Sequence, residues 1–251
     1  MLLCELVAIA KQSRLTCPPS HTCTCRSIKI YSEDKIGSSI LQTQAVVENK
    51  IDCREKSLIQ PPNLSFARGL PISVLLLQHN HITFIPNGTF KDLRLVNANH
   101  RSGIPILDLS HNQLKAIEHD DFQGLVTAHL SLLLNNCSLD TFPVIPQSVS
   151  NFTMELHLKE NLLPNIPNGV FFNYTSLVLL DLSGNIMLQL TADCFAGLEH
   201  SLRYLYLEDM KLVHVPSAAV KGLSSLQYLY LTNNFITHLP DYIFKDFTQS
   251  I

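Results

Sequence analysis

The sequence predicts a curved solenoid, with short parallel strands lining its concave face and irregular loops and short helical turns returning along its convex face. Three observations predict it. Apolar residues recur in one template, LxxLxLxxNxL, and from Cys137 to Asn161, Asn185, Met210 and Asn234 its ninth positions step by 24, 24, 25 and 24 residues. Further apolar pairs, such as Ile166 with Phe171 and Leu239 with Phe244, follow each strand and can close a coil behind it. Four cysteines gather ahead of the first copy, where the open end of a solenoid needs a lid.

Taken in order, Met1 to Ala10 are apolar apart from Glu5 and end in Ala8-Ile9-Ala10, a small-x-small pattern like a secretory cleavage site. Residues 1–10 therefore read as the remnant of a signal peptide, and Cys4 would leave with it. Residues 11–71 read as a cysteine-rich cap and 72–251 as seven repeats. The first repeat supplies Ile72, Leu75, Leu77, Asn80 and Ile82, the second Ile104, Leu107, Leu109, Asn112 and Leu114. The others begin at His129, Thr153, Leu177, Leu202 and Leu226. Residues four and six of the template share one face of a strand, because strand side chains alternate with period two, and both point inward. One repeat alone cannot offset the entropy of ordering its own backbone, so stacking must seal the coils.

Two irregularities stand out. Cys137 and Met210 replace the ninth-position asparagine, whose amide has donors and an acceptor for buried backbone groups, so the backbone must adjust or take a buried water near Met210. Asn80 and Asn112 lie 32 residues apart, and the excess around Arg94 to Gly103 reads as a polar loop bulging from the solenoid, a feature that retained intronic sequence would equally produce. The chain reaches Ile251, the first position of an eighth repeat, with no second cysteine cluster, so it reads as a fragment cut before a C-terminal cap.

Cys17, Cys23, Cys25 and Cys53 allow three disulfide pairings, with a zinc site as the alternative; Cys23 and Cys25 are too close for the usual CxxC ligand pair. Five sequons, at Asn63, Asn87, Asn136, Asn151 and Asn173, agree with an oxidising extracellular compartment and hence with disulfides. A glycan on Asn136 would obstruct the inner face. Cys137 and Cys194 fall on opposite sides of their repeats and read as buried free thiols.

The CPPSHTCTC cap followed by 24-residue repeats carrying IPxxxF resembles the extracellular leucine-rich-repeat superfamily, which includes Slit, Toll and chaoptin. The resemblance covers nearly the whole chain after residue 17, and SLRYLYLEDMKLVHVP looks most like chaoptin-type adhesion proteins. It implies bridges from Cys17 to Cys25 and from Cys23 to Cys53, although the segment from Arg26 to Asp52 is longer than that family's usual hairpin. It also implies binding through the concave face.

Template positions two, three, five, seven and eight point outward from the strands. In the last two repeats they bring together Arg203, Tyr204, Tyr206, Glu208 and Asp209 with Gln227, Tyr228, Tyr230, Thr232 and Asn233. Tyrosine and arginine are enriched at binding hot spots, so Arg203, Tyr204, Tyr206, Glu208, Tyr228 and Tyr230 are the protein-binding candidates. His79 and His111, at the eighth position of successive repeats, read as solvated surface residues without a third ligand. A net charge of -3 with interspersed signs argues against nucleic-acid binding. No Ser-His-Asp spacing, HExxH motif or phosphate-binding glycine loop appears, so neither enzyme, cofactor nor metal is expected. No stretch reaches the ~20 apolar residues of a membrane span, which leaves anchoring to sequence outside this chain. The expected function is a secreted or cell-surface protein-binding module of an adhesion or receptor ectodomain, with a secreted regulatory or matrix-binding glycoprotein as the alternative.

Overall fold

The computed structural model describes residues 15–19, 22–32, 35–36, 39–40, 44–96, 103–187 and 190–239. The leader-like residues 1–10 and the pair Leu239 with Phe244, as a pair, lie outside them. Strand β1 (Thr24–Ser32) runs antiparallel to β4 (Gln44–Asp52), and β2 (Lys35–Ile36) pairs with β3 (Ser39–Ile40) between them. The long segment between the third and fourth cysteines is thus a hairpin extended by extra paired residues. From β4 onward the sheet is parallel: β6 (Val74–Leu76), β8 (Ile106–Asp108), β10 (Leu130–Leu133), β11 (Thr153–His157), β12 (Leu179–Asp181), β13 (Tyr204–Tyr206) and β14 (Tyr228–Tyr230) follow in chain order. The chain is a leucine-rich-repeat solenoid of the predicted class.

Cys17 is bonded to Cys25 and Cys23 to Cys53. Cys53 and Ile51 are fully buried and continue the leucine columns, with Ile51 in register with Leu75. The segment after β4, with Leu64 and Ala67 in the core, therefore already makes a turn of the coil, and the lid is continuous with the sheet. On the convex side phenylalanines fill successive turns: Phe90 stacks on Phe122 at 5.5 Å, and Phe171 meets Phe142 at 5.4 Å and Phe195 at 6.3 Å.

The ninth-position asparagines stitch turn to turn. Asn161 donates to the carbonyls of Leu134 at 2.8 Å and Leu158 at 2.9 Å, and its Oδ1 accepts from the amides of Cys137 at 2.9 Å and Leu139 at 3.0 Å. Asn234 repeats all four bonds three periods on. Cys137 retains only the donor role, its Sγ lying 3.2 Å from the Leu109 carbonyl. Beside Met210 the adjustment appears one turn earlier, where the Met187 amide bonds back to the Asn185 carbonyl at 3.1 Å.

The backbone records the same substitution. The eighth residue is left-handed in each turn: Glu55, His79, His111, Asn136, Glu160, Gly184, Asp209 and Asn233 have φ between 50° and 72°. Where the ninth residue is Lys56, Cys137 or Met210, the tenth is left-handed too, with Ser57 at 54°, Ser138 at 60° and Lys211 at 59°. Where it is asparagine, the tenth residue is not, and its amide can reach the preceding turn, as Leu162 reaches the Leu139 carbonyl at 2.8 Å and Phe235 that of Leu212 at 2.8 Å.

A second parallel sheet joins β5 (Pro71–Ile72), β7 (Arg94–Leu95) and β9 (Val126–Thr127). It corrects three expectations. Leu95, fully buried and paired with Ile72, takes the first position of the second turn, while Ile104 is only half-buried. Thr127, paired with Leu95, takes that of the third, and His129 is exposed. Arg94 and Leu95, read as the start of a bulging loop, are strand: sheet pairing and a buried leucine outweigh the inserted length that follows. Residues 97–102 of that insertion lie outside the described residues.

Candidate functional site

Strand register builds the concave face into columns. Position three runs Lys50, Val74, Ile106, Ser131, Glu155, Leu179, Tyr204, Tyr228, and position five runs Asp52, Leu76, Asp108, Leu133, His157, Asp181, Tyr206, Tyr230. Parallel in-register pairing places equivalent side chains one strand spacing apart, so like rings stack. Tyr204 and Tyr228 are 4.7 Å apart and 3° from coplanar; Tyr206 and Tyr230 are 4.2 Å apart and 1° from coplanar. Tyr228 and Tyr230, two residues apart on one strand, have centroids 6.5 Å apart and tie the stacks into one patch.

The patch stays open to solvent: Tyr228 is 48% exposed and the other three are half-buried. Desolvation raises the Tyr206 phenol to about 12, with the Tyr230 hydroxyl and the negative charge of Asp181 adding to it. Tyr206 therefore remains a neutral hydrogen-bonding group across the physiological range. Arg203 is exposed beside the patch, Glu208 is half-buried, and Asp209 is exposed.

The other half of the face differs. Val74, Leu76, Ile106 and Leu133 form a half-buried apolar floor over the first three turns, at the same template positions as the tyrosines but with no aromatic residue to mark them in the sequence. Between the two halves Glu155 accepts from the Ser131 hydroxyl at 2.7 Å and lies 3.7 Å from His157 Nε2. The His157 hydrogen bond holds Glu155 below its ordinary range, opposed by burial and reinforced by Ser131. Here the carboxylate stands between hydroxyl and imidazole, so the imidazole is not placed to take the serine proton, as nucleophilic catalysis requires.

At the rim His79 and His111 stack at 4.3 Å, and Asn136 Nδ2 lies 3.2 Å from His111 Nδ1. Among the described residues no group of three or more metal-ligating side chains gathers. Asn63, Asn87, Asn136 and Asn173 are exposed; Asn151 is half-buried, with its Oδ1 enclosed. Cys137 and Cys194 are buried thiols, each raised to about 12 chiefly by desolvation, which leaves them protonated and unreactive at neutral pH. No helix among the described residues is long and apolar enough to cross a membrane.

The leucine-rich-repeat family model matches residues 153–209 and 200–249. The chain is 28% identical to chaoptin of Drosophila melanogaster over 155 residues, covering 54% of this chain and 12% of chaoptin. It is 29% identical to biglycan of Xenopus laevis over 166 residues, covering 57% of this chain and 40% of biglycan. It is 36% identical to leucine-rich repeat-containing protein 3 of Danio rerio over 89 residues, or 36% of this chain and 34% of that protein. The chain thus spans less than half of each of these relatives. A solved leucine-rich-repeat protein of Leptospira interrogans superposes with a TM-score of 0.53 at 24% identity, covering 71% of this chain and 41% of that one, a likeness of fold. Family model, relatives, fold and the disulfide-bonded hairpin agree: the chain is similar to the leucine-rich-repeat proteins and carries 24-residue repeats behind an N-terminal cysteine cap.

Proposed function

We propose that this chain is the binding module of an extracellular adhesion or receptor protein, and that it holds a protein partner on its concave face through Tyr204, Tyr206, Tyr228 and Tyr230, flanked by Arg203 and Glu208. The observation that carries the reading is the double tyrosine stack. It offers a large, ordered aromatic area with polar tips, and its rings already restrain one another, so little side-chain entropy remains to be lost on binding. Two disulfides and exposed sequons at Asn63, Asn87 and Asn173 support an extracellular setting. The cap and the repeats act in this reading as one unit, since β4 pairs directly with β6.

The test uses the chain as a soluble secreted fusion that stains cells or matrix. Tyr206→Ala combined with Tyr230→Ala abolishes staining while the melting temperature stays within a few degrees of the native value. Undiminished staining by the folded double variant overturns the reading. Exposed sequons also favour a second reading, a secreted regulatory or matrix-binding glycoprotein, and staining confined to matrix rather than cells selects it.

A further inference from the structure

Three turns carry aspartate at position five, and all three bend it alike. Asp52, Asp108 and Asp181 each accept, through Oδ1, from the amide two residues on: Arg54 at 3.1 Å, Ser110 at 2.9 Å and Ser183 at 2.9 Å. In the first case the seventh-position side chain completes the arrangement. Arg54 Nε lies 3.0 Å from Asp52 Oδ1 and its Nη2 2.7 Å from Oδ2, a forked guanidinium–carboxylate pair that holds Asp52 below its ordinary range. The fold thus displays a guanidinium seated beside a position-five aspartate.

At Asp181 the seventh residue is Ser183 and the eighth is Gly184, so that turn carries short side chains where its neighbours carry long ones. Register puts Tyr206 directly beside Asp181 on the next strand, and their proximity shows in the contribution of Asp181 to the raised Tyr206 phenol. No cation among the described residues pairs with Asp181, nor with Glu208 on the turn that carries Tyr206. Asp108 lacks this setting: it is buried, and its neighbour in the column is Leu133.

We propose that Asp181, held by the Ser183 amide, and Tyr206 form a subsite for one arginine side chain of the protein partner. The guanidinium takes the place at Asp181 that Arg54 takes at Asp52, forking onto the carboxylate while its plane lies against the Tyr206 ring. Charge, planarity and an aromatic wall together select arginine over lysine, whose ammonium is a point charge with no fork. The subsite rests on the concave-face reading and adds to it the chemistry of the residue recognised.

The test is a selection of random peptides displayed on phage against the whole chain, followed by affinity measurement on the variants Asp181→Asn, Tyr206→Leu and Tyr206→Ala with Tyr230→Ala. Asp181→Asn keeps an Oδ1 for the Ser183 amide and removes only the charge, so folding is preserved and is checked by melting temperature. The expected result is enrichment of a single arginine, at least tenfold weaker binding to Asp181→Asn, and a comparable loss when that arginine is replaced by citrulline or lysine. Peptides that lose binding to the double tyrosine variant but show no arginine enrichment, or bind Asp181→Asn unchanged, overturn the arginine subsite and leave the concave-face reading standing. Peptides indifferent to the double tyrosine variant overturn both.

Discussion

The left-handed eighth residue explains how one template can end every strand the same way, and the tenth residue shows what an asparagine is worth. Where position nine is asparagine, the tenth residue is not left-handed and its amide bonds to the preceding turn, as those of Leu162 and Phe235 do. Where it is Lys56, Cys137 or Met210, the next turn's asparagine accepts from both the ninth and the eleventh amides and the tenth residue between them is left-handed, at a strain of roughly 1–2 kcal/mol for a residue with a side chain. The same substitution at this template position should therefore have opposite signs in adjacent turns. Lys211→Gly, at φ 59°, is expected to raise stability by up to about 1 kcal/mol, whereas Phe235→Gly is expected to lower it by about 1 kcal/mol. Phe235 is 62% exposed, so little core packing enters the comparison, which denaturant midpoints would read. A gain in both variants would show that the tenth residue is not under the strain assigned to it.

Glu155 carries the pH dependence of the inner face. Its folded-state pKa lies below the ordinary 4.5, so its ionised form stabilises the fold above that range. The contribution is lost as pH falls through the depressed value. Melting temperature of the native chain should accordingly fall more steeply than that of Glu155→Gln between about pH 6 and about pH 3, the two converging at the acid end. Parallel curves would mean that the contacts with His157 and Ser131 do not bias ionisation.

Between elements, the cap and the second sheet separate what could be read in advance from what could not. The spacing of leucines announced the strands, and the cysteines announced a lid, because both are periodic or local signals. The second sheet was hidden. Counting back from asparagine finds the first position only where nothing is inserted between the returning arm and the next strand, and it mislaid Leu95 and Thr127, which sit ahead of inserted residues. The tyrosine patch was legible because aromatic residues recur at equal positions; the Ser131, Glu155 and His157 cluster was not, since its members share no residue type. Of the lid's two bridges, Cys23 to Cys53 closes a separation of 30 residues and Cys17 to Cys25 one of 8. Chain-entropy reasoning gives about 3.6 kcal/mol for the longer loop and about 2.5 for the shorter. Replacing Cys23 and Cys53 by serine should thus lower the unfolding free energy by roughly 1 kcal/mol more than replacing Cys17 and Cys25. Equal losses would place the stabilisation in local packing at the lid instead of in loop closure.

Taken whole, the solenoid gives each turn contacts chiefly with the turns beside it, so its stability should behave as a sum of neighbouring interfaces rather than a single core. Leu156 tests this. It is fully buried in β11, in register with Leu132 on one side and Leu180 on the other, midway along the sheet. Leu156→Ala removes apolar contacts and leaves a cavity, a change that typically costs 2–5 kcal/mol. In a chain of neighbours that loss weakens two interfaces and leaves distant ones intact. Amide hydrogen exchange should therefore accelerate most in β10, β11 and β12, while β4 and β6 next to the disulfide-bonded lid keep protection close to that of the native chain. The tyrosine-bearing strands β13 and β14 should then exchange faster than β4 and β6, because opening at β11 separates them from the stapled end. Uniform acceleration along the whole sheet would show instead that the turns unfold as one cooperative unit, and that the binding face cannot loosen locally.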